Sequence, residues 1–153
     1  MFKPVPLNLP PYPFKLTQKE EQLFIYDELR KRQLVLTPEE WVRQHFVQYL
    51  IIQKKYPKGL IKLEGGLNLN QLKKRTDIVV FDKDGKADVL VECKATHVKI
   101  NQDVFDQAAR YNMIHQVNYL VVTNGITHAY CRMDYVNQTY QFLEELPLYI
   151  NKS

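Results

Sequence analysis

Cysteine is scarce in this chain: two residues, Cys93 and Cys131, with no close-spaced pair. That excludes a disulfide framework and a zinc ribbon, and makes a reducing compartment the expectation. No apolar run approaches the roughly 20 residues of a membrane-spanning helix, and the N-terminus lacks the apolar core of a signal peptide. A cytoplasmic location with no membrane contact is expected. The four histidines show no H-E-x-x-H spacing, which argues against a histidine-based metal site. No G-x-x-x-x-G-K-[ST] segment is present either, so the chain carries no ATPase loop of that kind. Charge of one sign is also lacking: 21 Lys plus Arg against 17 Asp plus Glu leaves a net +4, a slight lean toward a polyanion. Three local clusters, Arg30 to Arg32, Lys54 with Lys55 and Lys58, and Lys73 to Arg75, read individually as solvated turns or helix ends.

What is present is one globular domain's worth of apolar sequence, 45% of 153 residues. Five prolines among the first thirteen residues make residues 1–16 an extended arm, ahead of a single domain over 17–153. QLFIYDELRKRQLVL reads as a strand pair turning near Arg30 to Arg32, although Leu23, Tyr26 and Leu29 also fit a helical stripe. TPEEWVRQHFVQYLIIQKKY is the clearest helix: Thr37 caps, Pro38 suits the first turn, and Glu40 completes a capping box. At ~100° per residue, Glu39 falls within ~20° of the Val42, Phe46 and Leu50 stripe and Glu40 falls off it. LIKLEGG then predicts a strand ending in a glycine bulge or turn, and NQDVFDQAARYNMIHQ a second amphipathic helix whose buried candidates include Phe105, Ala108 and Met113. A buried strand, an Asn-Gly turn, another strand and the edge strand TYQFL follow.

The segment RTDIVVFDKDGKADVLVECKA places charges where two apolar strands meet their ends. Asp84-Gly85 predicts a two-residue type I′ hairpin with positive φ at both positions. In that register Phe81 faces Asp88, Val79 faces Leu90 and Asp77 faces Glu92, with Lys94 on the same side. Facing carboxylates repel unless a cation lies between them. A magnesium ion, which takes one or two carboxylates together with waters and phosphate oxygens, answers that repulsion. Lys94 beside it can orient a water or balance charge on a phosphodiester in displacement. Cys93 projects to the opposite, apolar face and reads as a core residue.

Asp77 followed by Glu92-Cys93-Lys94 resembles the PD-(D/E)xK nuclease motif, with Thr76 where the naming proline stands. Gln107-Ala-Ala-Arg-Tyr111 resembles the Q-x-x-x-Y motif of type I restriction enzyme motor subunits. As a series, LTPEEWVRQH, KKRTDIVVF, VLVECKA, QAARYN and YLVVTNG are similar to the N-terminal nuclease domain of those subunits, over roughly residues 23 to 147. The resemblance implies an α/β (α+β) fold: a restriction-endonuclease-like αβββαβ core, its mixed sheet flanked by helices, with an extra N-terminal strand pair and C-terminal strands. It implies Asp77 and Glu92 as metal ligands for Mg2+, with Mn2+ a substitute, and Lys94 as the catalytic lysine. Glu39 resembles the acid on the first helix that completes many such sites, with Glu40 the alternative. Gln107, Tyr111 and Arg75 are the substrate-binding candidates. The implied function is a metal-dependent DNA endonuclease without its own motor; the implied partners are DNA and a separate ATPase, translocase or specificity subunit. A homodimer is the arrangement in which many such nucleases cut both strands. The rival readings are a nuclease-fold module that holds nucleic acid without cutting it, and a structural partner of a separate ATPase.

Overall fold

The computed structural model describes residues 1–64, 77–112 and 115–150, without the side chains of Glu64 and Tyr111. The expected glycine turn at Gly65-Gly66, the cluster Lys73, Lys74 and Arg75, and Met113 lie outside the described residues.

Alternating inward residues build the N-terminal sheet. Strands β1 (Leu16–Lys19), β2 (Gln22–Asp27) and β3 (Arg32–Val35) pair antiparallel in sequence order, and β2 buries Ile25 and Asp27. The expected pair is therefore β2 with β3, and the helical alternative for this stretch is not what forms. β1 adds a third strand that was not expected; all four of its residues are exposed, so no apolar alternation announced it.

Helix α1 (Pro38–Ile52) starts where its sequence predicts, with Thr37 Oγ1 accepting from the Glu40 amide at 3.1 Å. Only half of the expected capping box forms, because the Glu40 carboxylate is taken up by Arg43 and Gln44. After a short 3-10 turn at Lys58–Leu60 come β4 (Ile61–Glu64), β5 (Asp77–Phe81), β6 (Ala87–Cys93), α2 (Gln102–Tyr111), β7 (Tyr119–Thr123), β8 (His128–Asp134) and β9 (Thr139–Leu143). These six strands form one sheet in sequence order. It is mixed: β6 and β7 run parallel and every other neighbouring pair antiparallel. A parallel pair needs a crossover, and α2, capped by Asn101, supplies it. From α1 to β7 the order is αβββαβ, and the fold is mixed α+β.

The two helices cover opposite faces of the sheet. α1 packs Val42, Phe46 and Leu50 against Ile78, Val80 and Val91, while α2 packs Phe105 and Ala108 against Val79 and Leu90. Covered on both sides, β5 and the middle of β6 read as near-continuous apolar runs. Burying a Val or Leu side chain contributes roughly 1.5–3 kcal/mol, and this sandwich is where the core sits.

The hairpin joining β5 to β6 differs from the expected two-residue turn. Asp82 NH donates to the Lys86 carbonyl at 2.7 Å and Gly85 NH to the Asp82 carbonyl at 3.1 Å, so the loop is Lys83-Asp84-Gly85. Only Gly85 has positive φ, +81°; Asp84 does not. The Asp82 carboxylate closes the loop by accepting from the amides of Asp84 and Lys86, both at 2.9 Å. Phe81 consequently faces Ala87 rather than Asp88. The ladder then shifts by one residue, leaving Asp88 as a bulge, and from Val80 facing Val89 onward the expected register holds.

The proline-rich arm lies along α1 and the turn between β7 and β8. Asn8 NH donates to the Gly125 carbonyl at 2.8 Å, His128 Nε2 donates to the Asn8 carbonyl at 2.9 Å, and Trp41 Nε1 donates to the Val5 carbonyl at 2.8 Å. Gly125 has φ +86°, and a Cβ there would meet Leu7 at 2.9 Å. With Nε2 donating, neutral His128 accepts at Nδ1 from the Thr123 hydroxyl, 2.7 Å away. Phe14 and Trp41 pack on His45 with ring centroids 4.7 and 4.3 Å apart. Burial pushes the pKa of both histidines below the ordinary 6.5. A depressed folded-state pKa gives stability that is complete above the unfolded value near 6.5 and is lost as pH falls toward the folded value. Melting temperature should therefore drop between pH 7.5 and pH 5, and His128→Gln, which keeps a donor but takes no proton, should show a shallower drop in the same melts.

Among the described residues no helix is long and apolar enough to cross a membrane.

Candidate functional site

At the end of the sheet away from the hairpin turn, β5 begins and β6 ends. Register puts Asp77 directly opposite Glu92, beside the Val79 and Leu90 pair on the α2 face. Asp77 is 2% exposed. Glu92 is half-buried, and Lys94 Nζ lies 3.4 Å from Glu92 Oε1. Lys94 is just past β6, but its amide donates to the Thr123 carbonyl at 2.8 Å, so the parallel strand β7 fixes the backbone that carries it. The Asn124 side chain secures the loop that follows, donating to the Val98 carbonyl at 2.8 Å.

Cys93 points to the other face, toward α1, and is buried as expected. Burial pushes its thiol pKa well up; Arg43 opposes that rise, while Asp77, Glu40 and Glu92 add to it. On α1 the buried acid is Glu40. Glu39, expected to point inward, is half-exposed, whereas Glu40 is buried and holds Arg43, which is 3% exposed. Arg43 Nε donates to Glu40 Oε2 at 2.7 Å and Arg43 Nη2 to Glu40 Oε1, a two-pronged pair, with Gln44 Nε2 at 3.3 Å from Oε2. The apolar stripe did not reveal this, because an ion pair can carry a helix face inward that the stripe ranks as polar. The spacing of Glu40 and Arg43, three residues apart on a helix, was the available signal.

Gln107 is exposed on α2, and no hydrogen bond or ion pair among the described residues joins it to Lys94. The Tyr111 side chain and Arg75 lie outside the described residues. Asp27, at the end of β2, was not anticipated. It is 1% exposed, and its Oδ1 accepts from the amides of Leu29 and Arg30 at 2.9 and 3.0 Å.

Among the described residues no three His, Cys, Asp or Glu side chains gather as a ready-made metal site. Two facing carboxylates still fit magnesium, which keeps several waters and takes its remaining oxygens from a substrate phosphate. Their all-oxygen donor set matches that ion and does not match zinc or copper. A cavity of about 570 Å3, bordered by Asp82, Asp88, Arg132 and Tyr149, opens at the opposite, hairpin-turn end of the sheet and takes no part in this arrangement.

An α+β domain of αβββαβ order, with paired acids and a lysine at the ends of its central antiparallel strands, is the class that fold and site define. Residues 38–147 match the family described as the type I restriction enzyme R protein N terminus, and the chain belongs to that family. Among solved structures it is similar to a fragment described as an HsdR subunit of a type I restriction enzyme from Vibrio vulnificus YJ016. That likeness has 19% identity and a TM-score of 0.48, and covers 74% of this chain and 24% of the other. No curated protein matches.

Proposed function

We propose that this chain is a magnesium-dependent DNA endonuclease domain of the PD-(D/E)xK type, hydrolysing a phosphodiester bond. The observation that carries this reading is the register that sets Asp77 against Glu92, with Lys94 Nζ 3.4 Å from Glu92. Membership in a family of restriction-enzyme R protein N termini supports it. Asp77 and Glu92 would hold Mg2+, or Mn2+ in its place. When bound, such an ion acidifies a water and neutralises charge developing on the phosphate. The chain's own residues do the rest. Lys94, a compact cation beside Glu92, balances the extra negative charge of the displacement and orients the attacking water. Glu39, or Glu40, the buried one of the two, is the proposed acid of α1. Arg75, Gln107 and Tyr111 remain proposed substrate contacts. The sequence holds no P-loop, so ATP-driven movement on DNA is assigned to a segment or subunit outside these residues.

Supercoiled plasmid incubated with the parent and Mg2+ or Mn2+ should be nicked. Nicking should vanish in EDTA and in Asp77→Ala and Glu92→Ala. Equal cutting by all three proteins, or cutting that survives EDTA, would refute the reading. DNA binding with no metal-dependent product would instead identify a non-hydrolysing module.

A further inference from the structure

Lys94 hangs from the end of β6, where the sheet stops giving support. The parallel ladder closes with Cys93 level with Thr123, and the chain leaves the sheet one residue later. The lysine side chain is long and 31% exposed, so its ammonium keeps its place 3.4 Å from Glu92 only if the backbone that carries it is fixed. Three hydrogen bonds fix it: the Lys94 amide donates to the Thr123 carbonyl at 2.8 Å, the Val98 amide to the Ala95 carbonyl at 3.0 Å, and Asn124 Nδ2 to the Val98 carbonyl at 2.8 Å. The first two join backbone to backbone and survive most substitutions. The third depends on one side chain.

Asn124 is 6% exposed, and both ends of its carboxamide are used. Oδ1 accepts from the Ile126 and Thr127 amides at 2.9 and 2.7 Å, which folds the turn between β7 and β8 on itself. That turn is wedged in place. The Asn8 amide donates to the Gly125 carbonyl at 2.8 Å, and a Cβ on Gly125 would lie 2.9 Å from Leu7 and 3.1 Å from Val42 of α1. Folding the turn needs only Oδ1, which an aspartate would supply equally well. Nδ2 reaches instead to the loop behind Lys94, and a carboxamide is what offers acceptor and donor together.

We propose that Asn124 is a positioning residue for Lys94: its carboxamide ties the loop after the lysine to the wedged β7–β8 turn and so holds the ammonium at Glu92. This rests on the nuclease reading above and names what sets the lysine's place in that site. Releasing such a tie costs rate and leaves affinity alone, because a misplacement of ~1 Å can slow a reaction about 100-fold.

The test is plasmid nicking by the whole chain with Mg2+, with kcat and KM measured separately. Asn124→Asp keeps the acceptor that folds the turn and loses the donor to Val98. It should lower kcat about 10- to 100-fold with KM for DNA within about twofold of the parent. In the Lys94→Met background the same substitution should slow nicking by less than about twofold, because the lysine it positions is gone. Damage to the fold would instead slow both backgrounds alike. Hydrogen exchange, which needs no activity, should quicken at the Val98 amide in Asn124→Asp and stay slow at Leu120 and Val121 within β7. Ile126→Asp, at an exposed side chain of the same turn, adds the same charge without altering the carboxamide, and should nick within about twofold of the parent. A parent-like kcat or unchanged Val98 exchange in Asn124→Asp, an equal loss in the Lys94→Met background, or an equal loss in Ile126→Asp would overturn the role given to Asn124. A parent that does not nick removes the nuclease reading and this role with it, whereas a parent that nicks no faster than Asn124→Asp removes this role alone.

Discussion

Replacing Lys94 with methionine is expected to slow plasmid nicking by about 10²–10³-fold while Mn2+ affinity stays level or tightens. Removing one preorganised charge aimed at a transition state costs about 2.7–4 kcal/mol in such sites. The ion pair itself, Lys94 Nζ to Glu92 Oε1 at 3.4 Å, is partly open to solvent, with side chains 31% and 13% exposed. Pairs near the surface contribute only about 0–1 kcal/mol to stability, so the variant should remain folded. The two magnitudes separate a catalytic role from a structural one. Metal affinity adds a second axis, because losing the ammonium removes a cation that competes for the Glu92 carboxylate. Glu92→Gln should behave in the opposite way, losing both Mn2+ affinity and nicking. Lys94→Arg should rescue little, since a planar guanidinium cannot occupy the place of a compact ammonium. Titration calorimetry with Mn2+ and initial nicking rates decide the matter: a loss below about tenfold in Lys94→Met would remove the lysine from the chemistry.

The facing of Asp77 and Glu92 was legible from sequence even though the turn that joins their strands was misread. Asp84-Gly85 suits a two-residue type I′ turn, but it equally suits a three-residue loop in which glycine alone is left-handed, as Gly85 is. The added loop residue is offset by the bulge at Asp88, so Val80 still meets Val89 and the carboxylates still meet. The core strands demanded that parity, because a slip by one residue would turn every apolar side chain of β6 to the wrong face. Local turn chemistry is thus weaker than two-sided burial in setting register.

Which acid of α1 is buried was less legible for the complementary reason. A helical wheel weights apolar residues, and placed Glu39 near Phe46; the wheel has no weight for two opposite charges that bury together. The buried acid that secures the β2–β3 turn escaped notice similarly, although the turn itself was legible. Asp27 reads as a surface acid until its carboxylate is seen capping the amides of Leu29 and Arg30.

The buried pair at the start of α1 should have the largest effect on stability of any single side chain in this region. Glu40→Ala deletes the carboxylate that chelates Arg43 through Nε and Nη2, where the two side chains are only 9% and 4% exposed. Breaking a buried ion pair from one side costs about 3–5 kcal/mol, because the remaining charge loses its counter-charge without regaining water. Against a total stability of about 5–15 kcal/mol, that is a third or more for many domains. For a chain of this size each kcal/mol corresponds to roughly 2–4 °C, so the midpoint should fall by about 6–20 °C. The same reasoning predicts a rescue. Arg43→Met in the Glu40→Ala background removes the guanidinium and fills its volume, and should recover most of the loss, since apolar replacements of buried pairs are often neutral or better. Thermal melts of the two single variants and the double variant form a cycle that reads the coupling directly. If the rescued protein is as stable as the parent yet nicks plasmid more slowly, the pair is retained for the chemistry and not for the fold. If Glu40→Ala melts within 2 °C of the parent, the pair's contribution to stability is far below that of a buried ion pair, and the cost assigned to breaking it is wrong.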